Sequence, residues 1–385
     1  MLRLLFVTIL FISMFAKIAS DVYFPSIPVI ARYFAVSHHQ AQLTVTFYLV
    51  GITISQMIFG LVSDYYGRKR PLIFGVLLCL MGSTFCAQST SINMLFFGRL
   101  LQGLGSGAGP VIARSILKDL YSGNELAKNN SVIAKFGVLI FTTSPILGGY
   151  IQHLFGWQYN FLFVAFFCCI LVLMIVFCID ETLKIRSSRI KLADLWKILR
   201  NKAFIKNCMH LNLSYSGIIS WLTATPIILQ DVLHLSPADC KWLYACSGLG
   251  FFIGSTISII LLKRKNSMTV MGYGFVISTL SAVVMLTCSQ ILNIFAIILP
   301  VGLYMLGAGM VFPNGVASAM DQFKKNSGYA SSILGSSQVL MGSFASCVIS
   351  YLPEHNQLPL ALVLLTYSTA NLILGAKYLK GGSSC

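Results

Sequence analysis

Acidic side chains are nearly missing from this sequence. Its 385 residues hold 11 Asp and Glu against 27 Lys and Arg, and charged residues make up only 10% of the total. Soluble domains carry about 25% charge, so a soluble globular chain is excluded. Paired CxxC motifs are also missing. The 11 Cys are scattered singly through apolar runs, apart from adjacent Cys168 and Cys169. They read as small apolar fillers, with neither a disulfide framework nor a metal site implied. No nucleotide-binding loop, metal-ligand cluster or hydrolase elbow is present, which argues against ATP hydrolysis and enzyme chemistry. What the chain has in excess is hydrocarbon: 56% of residues are apolar and the mean hydropathy is +0.80. That composition belongs to a protein threaded repeatedly through a bilayer.

The formal net charge of +16 raises nucleic acid as a partner, and the distribution of charge removes it. Of the 27 Lys and Arg, all but Lys17, Arg32, Arg99 and Lys241 fall at the N-terminus or in alternate loops and their flanks. This is the positive-inside pattern, not a basic face. It places both termini and the basic loops in the cytoplasm. The reference point is the turn Gly60-Leu-Val-Ser-Asp64-Tyr-Tyr-Gly67-Arg68-Lys69-Arg70-Pro71, too cationic to lie in hydrocarbon.

A span needs about 20 apolar residues. Twelve candidates are expected: Leu4–Pro25, Ala41–Val62, Pro71–Gln88, Asn93–Leu117, Ser131–Ile151, Tyr159–Ile179, Asn207–Leu229, Trp242–Leu262, Met268–Cys288, Leu292–Val316, Tyr329–Leu352 and Leu358–Tyr378. Met1–Ala19 resembles a signal peptide, but Lys17 interrupts the cleavage region and removal would leave eleven spans, so it is kept as the first helix. Between Lys184 and Lys206 lie eight basic residues and one acid, Asp194. Leu192, Leu195, Trp196 and Leu199 have helical spacing there, predicting an amphipathic surface helix. The plan is an all-α membrane protein of twelve transmembrane helices in two six-helix bundles, 1–183 and 207–385, joined by the basic linker 184–206. Six spans, a linker and six spans is the signature of a transporter with parallel halves.

Ionisable groups within spans cost a few kcal/mol on insertion scales and mark function by default. Lys17, Asp21 and Arg99 qualify. At 1.5 Å per residue, Lys17 and Asp21 lie about 20 and 25 Å from the inner end of the first helix, and Arg99 about 9 Å from the outer end of the fourth. All three share the outer half of the membrane, and Lys17 and Asp21 are i, i+4 neighbours. Two readings of Asp21 stand: a proton-coupling carboxylate balanced between burial and nearby cations, or a structural ion pair with Lys17. Gly103, Gly105, Gly107 and Gly109 alternate along the fourth span before Pro110, fitting close helix packing or a moving hinge. A cavity for amphipathic ligands needs aromatic walls and a few uncharged polar groups. Candidates are Tyr23, Tyr48, Gln102, Asn212, Tyr215, Trp221, Asn314 and Gln338, each of which could instead join two helices. His210 reads as a packing residue.

The Gly60–Pro71 turn resembles the signature loop of the major facilitator superfamily of secondary transporters, G-x-x-x-D-x-x-G-R-K/R. Arg99-Leu-Leu-Gln102-Gly103 matches its R-x-x-Q-G motif. Pro145-Ile-Leu-Gly148-Gly149 matches the end of its antiporter motif, with Ile140 and Ser144 where glycines are expected. Asp21-Val-Tyr23-Phe-Pro25-Ser-Ile-Pro28, Arg114-Ser-Ile-Leu-Lys118-Asp119-Leu-Tyr121, Thr225-Pro226-Ile-Ile-Leu-Gln230 and Val311-Phe312-Pro313-Asn314 resemble the bicyclomycin/chloramphenicol-resistance branch of drug exporters. The resemblance implies proton-coupled antiport of small amphipathic compounds by alternating access, with the proton as coupling ion, no other cofactor and a monomeric carrier. It implies that Arg99 acts on a nearby carboxylate. It also implies that Asp64 sits near the start of the eleventh span around Ser327–Tyr329, as an inner latch; Arg114, at the inner end of the fourth span, is a second candidate partner, and Gly60, Gly67 and Arg68 complete the gating set. Against the latch stands a simpler reading, in which Asp64 caps its own loop against Arg68. The alternatives for the whole chain are a specific metabolite carrier and a non-transporting membrane receptor.

Overall fold

The computed structural model describes residues 2–121, 123–183, 198–236, 241–291, 293–321, 327–352 and 356–376. Those residues are helical almost throughout, with no strand among them. Each of the twelve expected spans has its helix. α1 (Leu2–Asp21) ends ahead of Pro25 and Pro28, passes through a 3-10 turn (Phe24–Ser26) and resumes as α2 (Ile27–Tyr33). α3 (His38–Tyr66) opens on a capping box between Ser37 and Gln40 and stops at Gly67, whose φ of 95° no other residue type adopts without strain. α4 (Lys69–Ala87), α7 (Gly123–Phe155) and α8 (Gln158–Cys178) each form a single span.

The fourth span is not continuous. It divides at Gly107 into α5 (Ile92–Ser106) and α6 (Ala108–Leu120), because Pro110 has no N–H to give the carbonyl one turn back. Its alternating glycines face neighbouring backbones. A Cβ on Gly103 would overlap the Tyr48 carbonyl of α3, and one on Gly105 would overlap the Cys79 amide of α4. Both α3 and α4 can therefore pack along α5 at backbone distance. The packing role of this run is built into the fold.

The later helices are α9 (Lys202–Ile227), α10 (Lys241–Leu261), α11 (Ser267–Thr287), α12 (Ile294–Met320), α13 (Ser327–Ser350) and α14 (Leu358–Leu374). Asn201, Asn266 and Asn293 cap the starts of α9, α11 and α12 through their side-chain oxygens. α9 ends in a π-helical turn, Ile228–Val232, just past Pro226. Eight of the spans meet the length and hydropathy of a membrane crossing on their own.

The chain forms two compact units, Met1–Leu195 with Gly328–Leu340, and Trp196–Ser327 with Met341–Cys385. The first half of α13 thus belongs to the first unit. There Ser332 Oγ lies 2.8 Å from where a Gly60 Cβ would sit. Most of the expected amphipathic helix, including Leu192, Leu195 and Trp196, lies outside the described residues.

Candidate functional site

Asp21 occupies the last turn of α1 and is 4% exposed, facing neither lipid nor bulk water. Its Oδ2 has no hydrogen-bond partner among the described residues. The ion pair with Lys17, the second of the two readings of this acid, is not formed: among the described residues no ion pair joins them. Instead the Lys17 ammonium lies over the Phe141 ring of α7, 4.5 Å from its centroid. Helical side chains lean toward the N-terminus, so the Lys17 stem runs away from residue 21, and the aromatic face takes the charge.

Arg99 is fully buried and forms no ion pair among the described residues. Its guanidinium lies between three rings, 4.4 Å from Tyr23, 4.1 Å from Tyr48 and 5.8 Å from Phe161. Nε donates to the Thr44 carbonyl (3.4 Å), and Nη1 donates to the Ala19 carbonyl (3.5 Å) and to Gln102 Oε1. Gln102 Nε2 donates to Ser83 Oγ on α4 (2.9 Å). Tyr48 donates to the Ala16 carbonyl (2.6 Å) and accepts from Ser106 Oγ (3.0 Å), while Tyr23 and Thr44 share a hydrogen bond between hydroxyls. The box draws on α1, α3, α4, α5 and α8. Tyr23, Tyr48 and Gln102 are thereby enclosed within the first unit, at 1%, 0% and 0% exposure. Arg99 Nη2 is left without a hydrogen bond, so the box contains one orphan donor and α1 one orphan carboxylate oxygen.

The basic turn is a network of its own. Asp64 pairs with Arg68 in the i, i+4 arrangement, which is the simpler of the two readings of that acid. Arg68 Nε donates to Asp119 Oδ2 (3.0 Å), Nη1 donates to Ser63 Oγ (3.0 Å), and Thr182 Oγ1 donates to the same Asp119 oxygen (3.1 Å). Glu181, beyond the end of α8, accepts from the backbone amides of Arg68 (2.8 Å) and Lys69 (3.3 Å). It thus caps α4 from the segment that follows α8. A Cβ on Gly67 would meet that carboxylate, whose flexible end can shift, so it is the φ of 95° that requires the glycine. Asp119, Glu181 and Thr182 were not among the expected gating residues; the only sequence signal for them is an acid at the end of each neighbouring span. Arg114 does not join Asp64. Its Nε donates to the Pro110 carbonyl of its own helix (3.0 Å), and no ion pair holds it among the described residues. The side chains of Ser327–Tyr329, the other expected partners of Asp64, lie outside the described residues.

Burial opposes the charge on Glu181, but the amides of Arg68, Leu183 and Lys69 outweigh it and hold the carboxyl below the usual carboxylate range. An acid depressed on folding adds stability that is present above its unfolded range and lost as pH falls through its folded one. Wild-type protein should therefore lose thermal stability faster than E181Q on acidification below the usual carboxylate range, with E181Q slightly less stable near neutrality. Equal melting curves for the two proteins at every pH would remove the capping role.

In the second unit, Asn314 joins three helices: its Nδ2 donates to Ser258 Oγ (2.6 Å) and the Met310 carbonyl (2.7 Å), and its Oδ1 accepts from Ser267 Oγ (3.2 Å). Trp221 is fully buried against Tyr244, with ring centroids 6.2 Å apart. Tyr215 lies near Phe312 at 6.4 Å, and Tyr215 and Asn212 are half-buried. His210 stacks on Phe275 (4.8 Å) and is hydrogen-bonded through Nδ1 to Asn371 Oδ1 (2.9 Å), a packed position as expected. Gln338 is half-buried on the part of α13 that belongs to the first unit.

Twelve helical spans, a glycine-bounded basic turn and buried ionisable groups within spans define a membrane-embedded, multi-pass transporter rather than an enzyme. The chain belongs to the Major Facilitator Superfamily, whose profile matches residues 9–346. It is 29% identical over 352 residues to the uncharacterized MFS-type transporter YdgK of Bacillus subtilis, covering 89% of this chain and 87% of that one. It is 26% identical to multidrug resistance protein D of Escherichia coli (90% and 89% covered) and 28% identical to multidrug resistance protein MdtL of Salmonella paratyphi B (83% and 81%). Two solved structures share its fold. One is a peptide transporter bound to alafosfalin (TM-score 0.74, 16% identity, 96% and 93% covered). The other is a bacterial homologue of the lysosomal transporter Spinster, facing inward and unoccupied (TM-score 0.75, 12% identity, 99% and 98% covered).

Proposed function

We propose that this chain is a proton-coupled antiporter that exports small amphipathic compounds across a bacterial inner membrane, with both termini in the cytoplasm. The observation that carries the coupling is the Asp21 carboxylate, buried in the first span with an oxygen that no group among the described residues donates to. An unpaired charge in a low-dielectric interior is expensive. A proton removes that charge, and an oxygen left open is free to take one. The cations nearest in the sequence are engaged elsewhere, Lys17 on Phe141 and Arg99 in its aromatic box. Neither quenches the acid by direct pairing, so the site can alternate between a protonated and a substrate-loaded form. Proton and cargo must favour different access states, since a ligand without preference shifts no equilibrium. The relatives named for multidrug resistance support the efflux direction and the amphipathic cargo. Orientation follows the Lys and Arg bias of alternate loops.

The test is transport in proteoliposomes of defined orientation under an imposed proton gradient, with a panel of lipophilic drugs. The expected result is drug movement against its own gradient that stops when a protonophore collapses the proton gradient. Transport unaffected by the protonophore would overturn the coupling, and no movement of any compound by folded protein would favour a receptor.

A further inference from the structure

The first unit holds another cation that forms no ion pair among the described residues. Arg114 lies on α6 about 9 Å from the end of that helix, deep enough that a guanidinium without a counter-charge is costly. Its Nε is used by the Pro110 carbonyl, and no carboxylate is within ion-pair reach among the described residues. Gln56 on α3 lies beside it, 5% exposed, and its Oε1 has no partner. The two meet over Gly335 of α13: a Cβ there would sit 2.7 Å from Gln56 Oε1 and 3.2 Å from Arg114 Nη2. Both side-chain ends therefore reach the α13 backbone at Gly335, where a larger residue would push against them. One turn further along α13, Gln338 Nε2 is another buried donor without an acceptor. Residues three apart share a helix face, so Gly335 and Gln338 look the same way.

Among the described residues Arg114 and Gln338 Nε2 are short of an acceptor, and Gln56 Oε1 of a donor. Guanidinium suits a carboxylate or phosphonate through two parallel N–H groups, and half a turn of the Gln56 amide presents Nε2 as a further donor. We propose that Arg114, Gln56 and Gln338 form a binding site for the anionic group of the cargo, so that the transported compounds are amphipathic organic anions. The inference rests on the exporter reading above and narrows its substrate class. Position supports the assignment: a charge bound at Arg114 is held on α6 and α13, apart from the α1 carboxylate that carries the proton.

The test compares 1-naphthaleneacetate with its uncharged isostere 1-naphthaleneacetamide, binding to purified protein in neutral-lipid nanodiscs without a gradient and read by tryptophan fluorescence. The carboxylate should bind wild type at least tenfold more tightly than the amide. R114Q should erase that preference, R114K should keep part of it, and G335A should weaken the carboxylate without touching the charge. Thermal stability of each variant, measured alongside, separates a lost site from a lost fold. Equal binding of the two probes by wild type, binding of neither, or a preference that survives R114Q would overturn the site. Failure of gradient-driven transport with the carboxylate preference intact would sink the exporter reading and leave the site standing.

Discussion

Asp21→Asn should abolish proton-driven uphill transport, reducing it to the background of empty liposomes, while the protein still inserts and purifies as wild type. Asn matches the carboxyl in size and can satisfy a buried environment by hydrogen bonding, so the fold has little to lose. In wild type no ion pair depends on Asp21, because Lys17 rests on Phe141 and Arg99 on its rings. What Asn cannot do is take up and release a proton in the working range. A carrier without a titrating group can still equilibrate its cargo, so downhill exchange of labelled drug should persist in the same vesicles. Loss of both activities would point to a binding role for Asp21. Uphill transport at the wild-type rate would remove the residue from the mechanism.

A second large effect is expected at a residue with no chemistry. Gly103→Leu should leave little folded protein in the membrane, seen as loss of the monodisperse peak in detergent gel filtration. The two helices α3 and α5 touch through a reciprocal pair of glycines. A Cβ on Gly103 overlaps the Tyr48 carbonyl, and one on Gly51 comes within 2.5 Å of the Leu100 carbonyl. Backbone atoms cannot swing aside as side-chain ends can. Overpacking costs about 1–3 kcal/mol and sometimes more, and helix association in lipid has no water-driven term to offset it. Separation of the helices would also pull Tyr48 from the Arg99 guanidinium, which it contacts at 4.1 Å. Wild-type yield and profile for this variant would show that the close approach is not needed. Gly103→Ala tests the same contact more gently and should retain a reduced folded fraction.

Two i, i+4 pairs show what was legible in the sequence and what was not. Asp64 and Arg68 have the same spacing as Lys17 and Asp21, yet only the first pair forms. Spacing alone does not decide. Asp64 lies in the last turn of α3 and Arg68 beyond Gly67, so that pair closes across the turn, whereas Lys17 and Asp21 share α1, where the lysine leans toward the N-terminus and onto Phe141. The spans and the turn were legible because hydropathy and loop charge are local properties. So was the bond between Arg99 and Gln102, three apart on one helix. The aromatic box was not, since Tyr23, Tyr48 and Phe161 come from three other helices whose rotation about their axes no linear pattern reveals. The same holds for Glu181, which reaches the start of α4 from beyond α8 across more than a hundred residues of sequence. Tyr23, Tyr48 and Gln102 fit the description of a ligand wall. In the fold their polar atoms serve the guanidinium and its neighbours instead.

Substrate-driven proton release tests the coupling claim most directly. Purified protein in lightly buffered detergent is mixed with a transported drug, and the pH of the solution is followed with an indicator dye. If Asp21 exchanges its proton for cargo, drug binding should release protons from wild type in proportion to occupied sites, and Asp21→Asn should release none. Proton release of equal size from the variant, at equal drug occupancy, would contradict the account.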